Sequence, residues 1–170
     1  AVFNITGTND APTLTAGAAS ATLVEAGGIA NGTAGTSSAT IALTKGDVDG
    51  SASYDTTYLT GNGWSTSDAG VTYTQAGTYG TATLTIATGV VSYALNNAAS
   101  ATQALTAGQG VTDTFTVQVT DGTTTTNANA VFNITGTNDA PTLSATSNTL
   151  TIVTNAATNL FTINEAVLSR

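Results

Sequence analysis

Hydrophobic and polar residues alternate with a period of two along much of this chain. Residues 81–87, TATLTIA, and residues 114–120, TFTVQVT, both follow the rule, and a two-residue period sends successive side chains to opposite faces of a strand. Threonine takes the polar face, and with Val, Ile and Tyr it fits a pleated, half-buried surface. Gly, Asn and Asp clusters such as TGNG at 60–63 and the Asn96-Asn97 pair interrupt these runs and are expected to be turns. No segment carries a sustained apolar stripe at the helical period. The pattern predicts an all-β fold, a Greek-key sandwich of two antiparallel sheets with about seven to nine short strands.

The hydrophobic pattern also repeats on a larger scale. The fourteen residues AVFNITGTNDAPTL at 1–14 return unchanged at 130–143. An offset of 129 residues, from 1 to 130, is too long for a solenoid unit and suits an independently folding domain in an array. The expected organisation is the last strand and linker of a preceding repeat at 1–10, one complete sandwich at 11–139, and a linker with a partial following or terminal segment at 140–170. In VFNI, 131–134, Val131 and Asn133 share one face while Phe132 and Ile134 share the other. Pro12 and Pro141 fix φ and remove a backbone donor, which makes NDAP a stiff spacer. Residues 144–170 contain two strand-like runs, 149–153 and 160–163, and do not repeat residues 15–40.

Composition narrows the class. With 170 residues and 41% hydrophobic content the chain can build one ordinary core. Charged residues make up only 7%, far below the usual quarter, which suits an extracellular β protein better than a cytosolic enzyme. Two basic residues, Lys45 and Arg170, stand against ten acidic ones for a net charge of −8, so nucleic acid and anionic membranes are poor partners. Cys, Met and His are absent, which removes disulfides, thiolate or imidazole metal sites, and catalysis by His or Cys. No run approaches the length of an apolar membrane span, and no basic segment precedes an apolar one. Neither a transmembrane span nor a signal peptide is expected within these residues, and any export signal is expected outside them.

Acidic residues collect in the loops. Asp10 and Asp139 lie in the repeated linker, Asp47 and Asp49 in GDVDG, and Asp121 in TDG after a strand. The DVDG start resembles an EF-hand loop, but the sixth position would be Ala52 and the twelfth Tyr58, so that reading is rejected. The glycine-rich nonapeptide of calcium-binding β-helices is missing as well. Loops at one end of a sandwich converge, and carboxylates brought together without a cation repel one another. Ca²⁺ accepts about six to eight oxygens in flexible geometry, and Asp, Asn and backbone carbonyls are what the chain offers. The same loops also read as simple polar turns. Trp64 with Tyr54, Tyr58, Tyr73 and Tyr79 could form an aromatic platform for sugar rings or pack in the core. Lys45 is expected to pair with Asp47 or Asp49 rather than enter an isopeptide crosslink. Asn4, Asn31 and Asn133 begin N-x-Thr sequences and are assigned no role.

The order GTNDAPTL, LVEAGG around Glu25, GDVDG, AGTYGTATLTIATGVVSYAL, QALTAGQGVTDTFTVQVTDG and a second GTNDAP resembles a VCBS repeat over about residues 7–141. That family occurs in very large secreted bacterial proteins, notably RTX-type biofilm adhesins, and is similar to bacterial cadherin-like domains with an Ig-like sandwich. The resemblance implies calcium at the module boundaries. At the N-terminal joint it brings Asn9 and Asp10 to Asp47, Asp49 and Asp121. At the C-terminal joint it brings Glu25 and Asp113 to Asn138 and Asp139, with further ligands supplied by the next module. The chain departs from the family at Ala26, where a second acid is usual, and at Gln109, where Glu is common, and fewer charges imply weaker binding. The expected function is non-enzymatic, a calcium-stiffened extender of a surface or secreted adhesin that contacts adjacent copies of itself. The alternatives are a filament subunit joined by β-strand exchange and a carbohydrate-binding module that takes extracellular polysaccharide.

Overall fold

A computed structural model describes residues 1–141 and, beyond them, the strand segments Ser144–Ala145, Val153–Asn155, Leu160–Thr162 and Leu168–Ser169. Residues 149–152 and 163, which belong to the strand-like runs expected there, lie outside the described residues. Nine strands form the body: β1 (Thr13–Ala16), β2 (Leu23–Val24), β3 (Ser38–Gly46), β4 (Ser53–Tyr54), β5 (Thr72–Ala76), β6 (Gly80–Thr85), β7 (Val90–Leu95), β8 (Gly110–Thr120) and β9 (Thr125–Thr135). They make a five-stranded sheet in the order β1-β3-β7-β6-β5 and a four-stranded sheet in the order β2-β9-β8-β4. All pairs are antiparallel except β2 with β9. The expected all-β sandwich is what forms.

The period-two pattern translates directly into burial. In β3, Ala39, Ile41 and Leu43 point inward while Thr40 and Thr44 face solvent. In β9, Ala130, Phe132 and Ile134 are buried and Val131 and Asn133 are not. The centre of the core is aromatic: Tyr93 of β7 stacks on Phe132 at 4.8 Å, and Phe115 of β8 meets Tyr93, Phe132 and Trp64 at 5.8, 6.2 and 6.0 Å between ring centroids. Such pairs strengthen packing beyond the area they bury.

Two short helices depart from the expected all-strand reading. One, α1 (Thr56–Gly61), overlaps the TGNG stretch taken as a turn, and the other is α2 (Ser100–Gln103). Asp55 caps α1 by accepting from Tyr58 N at 2.9 Å. An element of six residues is too short to display a helical stripe, and only Leu59 of α1 is buried.

The register fixes which loops meet. Gly46 at the end of β3 pairs with Thr13 at the start of β1, so loop 47–52 emerges where the first linker enters. Ser53 of β4 pairs with Thr120 of β8, which sets the β8–β9 turn beside that loop. At the opposite end, Val24 of β2 pairs with Thr135 at the close of β9, and the second linker leaves there.

Candidate functional site

At the N-terminal end the structure gathers Asn9, Asp10, Asp47, Asp49 and Asp121, the set that the family resemblance implies. Asn9 Nδ2 donates to Asp121 Oδ2 at 2.9 Å, and Asp10 N donates to Asp49 Oδ2 at 3.2 Å. Asp49 N donates to Asp47 Oδ1 at 3.2 Å, whereas Asp47 Oδ2 is shielded from solvent with no hydrogen-bond partner. Asp121 closes its own turn by accepting from Thr123 N and Thr124 N at 2.6 and 2.7 Å. The Thr124 amide, then Asn9, then the Thr123 amide hold its carboxyl far below the usual carboxylate range.

Lys45 does not neutralise this cluster. Its Nζ donates to the Ala52 carbonyl and lies 5.8 Å from the Tyr54 ring centroid. The expected pairing with Asp47 or Asp49 is corrected: β3 ends at Gly46, and the loop turns its backbone, not its carboxylates, toward the ammonium.

The C-terminal end is built around Glu25, which is only 1% exposed. Its Oε2 accepts from Thr137 N at 3.0 Å, while Oε1 is buried without a partner. Gly28 brackets the linker: Gly28 N donates to the Asn138 carbonyl at 2.9 Å and Ala140 N donates to the Gly28 carbonyl at 3.1 Å. The bracket is a tight turn with positive φ at Gly28, Ala30 and Asn31 (81°, 49° and 57°), and Ala30 is of a type that rarely adopts it. Asp139 Oδ2 is shielded and unpartnered. The Asn31 amide, turned with its NH₂ toward them, donates to Asp139 Oδ1 and the Ala26 carbonyl at 3.2 and 3.1 Å. Asn97 supports this loop by accepting from Ala26 N at 2.9 Å and, through its carbonyl, from Gln103 Nε2 at 2.6 Å. Sequence reasoning gave Asn31 no role, read Asn97 only as part of a turn and assigned nothing to Gln103; an amide residue between two glycine-containing turns carries no periodic signal.

Asp113 is not part of the C-terminal joint. It is buried inside the sandwich, where its carboxylate accepts from Thr78 N and Tyr79 N, each at 3.0 Å, and from Tyr93 Oη at 2.6 Å. It ties the β5–β6 turn and β7 in one sheet to β8 in the other. A Cβ at Gly77 would overlap the Asp113 carboxylate, so glycine is required there. The Tyr93 hydroxyl is pushed far above its ordinary pKa, first by burial and then by its bond to Asp113.

Of the two readings of the aromatic residues, core packing holds for Trp64, Tyr54 and Tyr73. Trp64 is 2% exposed, and its Nε1 donates to the Thr116 carbonyl at 3.1 Å, while Tyr54 and Tyr73 are buried beside it in the core. These three rings serve packing, whereas Tyr58 and Tyr79 are half-buried.

Four shielded side-chain acceptors lack a partner among the described residues, Glu25 Oε1, Asp47 Oδ2, Gln75 Oε1 and Asp139 Oδ2, and three of them are carboxylate oxygens of the two end clusters. Unpaired buried carboxylate oxygens are costly, and a hard cation is the partner such oxygens accept. Among the described residues no three carboxylates are gathered tightly enough to hold a metal by themselves, so amide and backbone oxygens would have to complete either shell. The donors present therefore fit an oxygen-liganded cation in chemistry. No protein-family model, curated protein or solved structure matches this chain.

Proposed function

We propose that this chain is a non-enzymatic structural extender, a β-sandwich repeat of the VCBS or cadherin-like kind in a bacterial surface or secreted adhesin, stiffened at its joints by Ca²⁺. The observation that carries the reading is the set of three shielded, unpartnered carboxylate oxygens of Asp47, Glu25 and Asp139. They sit at opposite ends of the sandwich, each beside one copy of the repeated linker. Asp10, Asp47, Asp49 and Asp121 would hold the ion at one end, and Glu25, Asn138 and Asp139 at the other, where the Asn31 amide would reverse to turn its oxygen inward. Bound calcium would supply the positive charge that Lys45 withholds and so remove the repulsion among these groups. The chain's own contribution is positional: short turns hold the loops, and proline restricts the linker to extended geometry. Adjacent copies of the module are the partners in this reading.

Calcium titration by calorimetry, with thermal unfolding in calcium and in chelator, tests it. Extracellular calcium modules bind with Kd of about 10⁻⁴–10⁻³ M. Calcium at 10 mM, an experimental setting roughly 10–100 times that Kd, stabilises the native state by about 1.4–2.7 kcal/mol. The upward shift in melting temperature is expected to shrink in the Asp47→Asn/Asp49→Asn variant. Absence of binding heat and of any shift at that concentration defeats the proposal.

A second reading, strand exchange between copies, is favoured by one observation. Val2, Phe3 and Ile5 are 91%, 86% and 94% exposed, while the twins of the latter two, Phe132 and Ile134, are 0% and 1% exposed in β9. Polymers that grow with protein concentration in the presence of chelator would support it over the extender reading.

A further inference from the structure

The two copies of the linker are gripped by opposite ends of one module, and they are gripped through different atoms. The first copy uses Asn9 Nδ2, bonded to Asp121, and Asp10 N, bonded to Asp49. The second uses Thr137 N and Oγ1, bonded to Glu25, together with the Asn138 carbonyl and Ala140 N, both bonded to Gly28. Among the described residues, the groups of Thr8, Asn9 and Ala11 that correspond to the second set make no hydrogen bond, and neither does Asp139 N, the counterpart of Asp10 N.

Both copies share one local shape, because the Asn side chain folds onto the following carbonyl in each: Asn9 Nδ2 to Asp10 O at 3.0 Å and Asn138 Nδ2 to Asp139 O at 3.1 Å. In extended backbone the N–H and C=O groups of successive residues point to opposite edges. The Asn138 carbonyl and Ala140 N therefore lie on one edge, paired with Gly28, and Asp139 N lies on the other. The edge that the first copy offers to Asp49 is the edge that the second copy leaves open.

We infer that a single linker between two consecutive modules is hydrogen-bonded along both edges at once, to Glu25 and Gly28 of the module it leaves and to Asp49 and Asp121 of the module it enters. The linker then acts as a one-strand strap that clasps two copies directly. Two exposed apolar side chains agree with this. Ile29, beside Gly28, is 76% exposed and Val48, beside Asp49, is 83% exposed, and both come to flank the same linker when the modules are joined. The inference rests on the tandem-array reading but not on calcium.

The test duplicates residues 1–129 ahead of the full chain, which recreates the natural 129-to-130 junction and gives two modules around one central linker. Amide hydrogen exchange is measured in excess chelator. Both the Asp and the Ala amides of the central NDA sequence are expected to exchange at least about tenfold more slowly than an unbonded amide. In the original chain, of these two amides only that of Asp10 is expected to be protected at the first copy and only that of Ala140 at the second. Substituting Asp49→Ala and Asp121→Ala in the second module alone should release the Asp amide and leave the Ala amide protected. If either edge exchanges freely in the two-module chain, the strap is overturned. Protection of both edges without any calcium heat upholds the strap while defeating the calcium reading, and calcium binding with one edge free does the reverse.

Discussion

Phe3 and Phe132 hold the same place in the same fourteen-residue sequence, yet Phe3 is 86% exposed in a segment without regular structure, whereas Phe132 is fully buried against Tyr93. Residues 1–7 form no strand within this chain, while residues 130–135 run through the middle of the four-stranded sheet between β2 and β8. Strand propensity is identical in the two copies, so the difference comes entirely from neighbours, as expected where sheet formation depends on pairing and burial. The linker behaves in the opposite way. Asn9 and Asn138 make the same side-chain bond to the next carbonyl in different surroundings, which marks a locally encoded conformation.

The sharpest way to break the contrast is at the aromatic position. Phe132→Ala should cost about 3–5 kcal/mol in urea unfolding, and Phe3→Ala should stay within about 0.5 kcal/mol. Similar losses at both sites would mean that the first copy is packed in solution. The next effect concerns Tyr93, which stacks on Phe132 and has a raised pKa. As pH rises above the unfolded value of 10.0, unfolded chains release the proton that the folded state retains. The stability this group contributes is full below that pH and is lost above it. Tyr93→Phe should flatten the alkaline fall in melting temperature, although Tyr54, also raised by burial, leaves part of it. The smallest effect separates the two linkers. Asn9→Ala should raise the Asp121 carboxyl titration, read by carboxyl-carbon NMR, and Asn138→Ala should leave it unchanged, because of the two asparagines Asn9 alone donates to Asp121. Asp68 provides an internal control, since its bonds to Thr72 and Thr66 hold it at about 2 in either variant. Its contribution to stability is present above the usual 3.8 and is lost as pH falls toward about 2.

Much of this arrangement was legible in the sequence. Period-two alternation located β6, β8 and the end of β9, and the repeat located both linkers. The N-terminal cluster assembled as expected because Asp47, Asp49 and Asp121 all follow strands that end at the same face of the sandwich. Asp113 was misplaced by attending to its charge rather than its parity. It shares the inward phase of Phe115 and Val117 along β8, which marks it as a core residue. Glu25 shares the phase of buried Leu23 in the same way. Asn31 was beyond reach because its role depends on a positive-φ turn meeting a linker more than a hundred positions away. Trp64 was ambiguous because an aromatic ring in a polar stretch serves a surface or a core equally well until its neighbours are known.

The hydrogen-bonded turn at residues 121–124 has a kinetic consequence. The place beside β8 accepts the AVFNIT sequence without distinguishing one copy from the other, and during synthesis the copy at 1–7 emerges first. Pairing β8 with its own β9 closes a loop of four residues, whereas pairing it with residues 1–7 closes one of roughly a hundred, an entropic difference of about 3 kcal/mol. Hairpins form in about 1–10 μs, far faster than the next residues can be added to the chain at about 5–20 per second. Asp121, by bending the chain back on itself in a short turn, favours the later of two identical strands through the smaller loop that it closes.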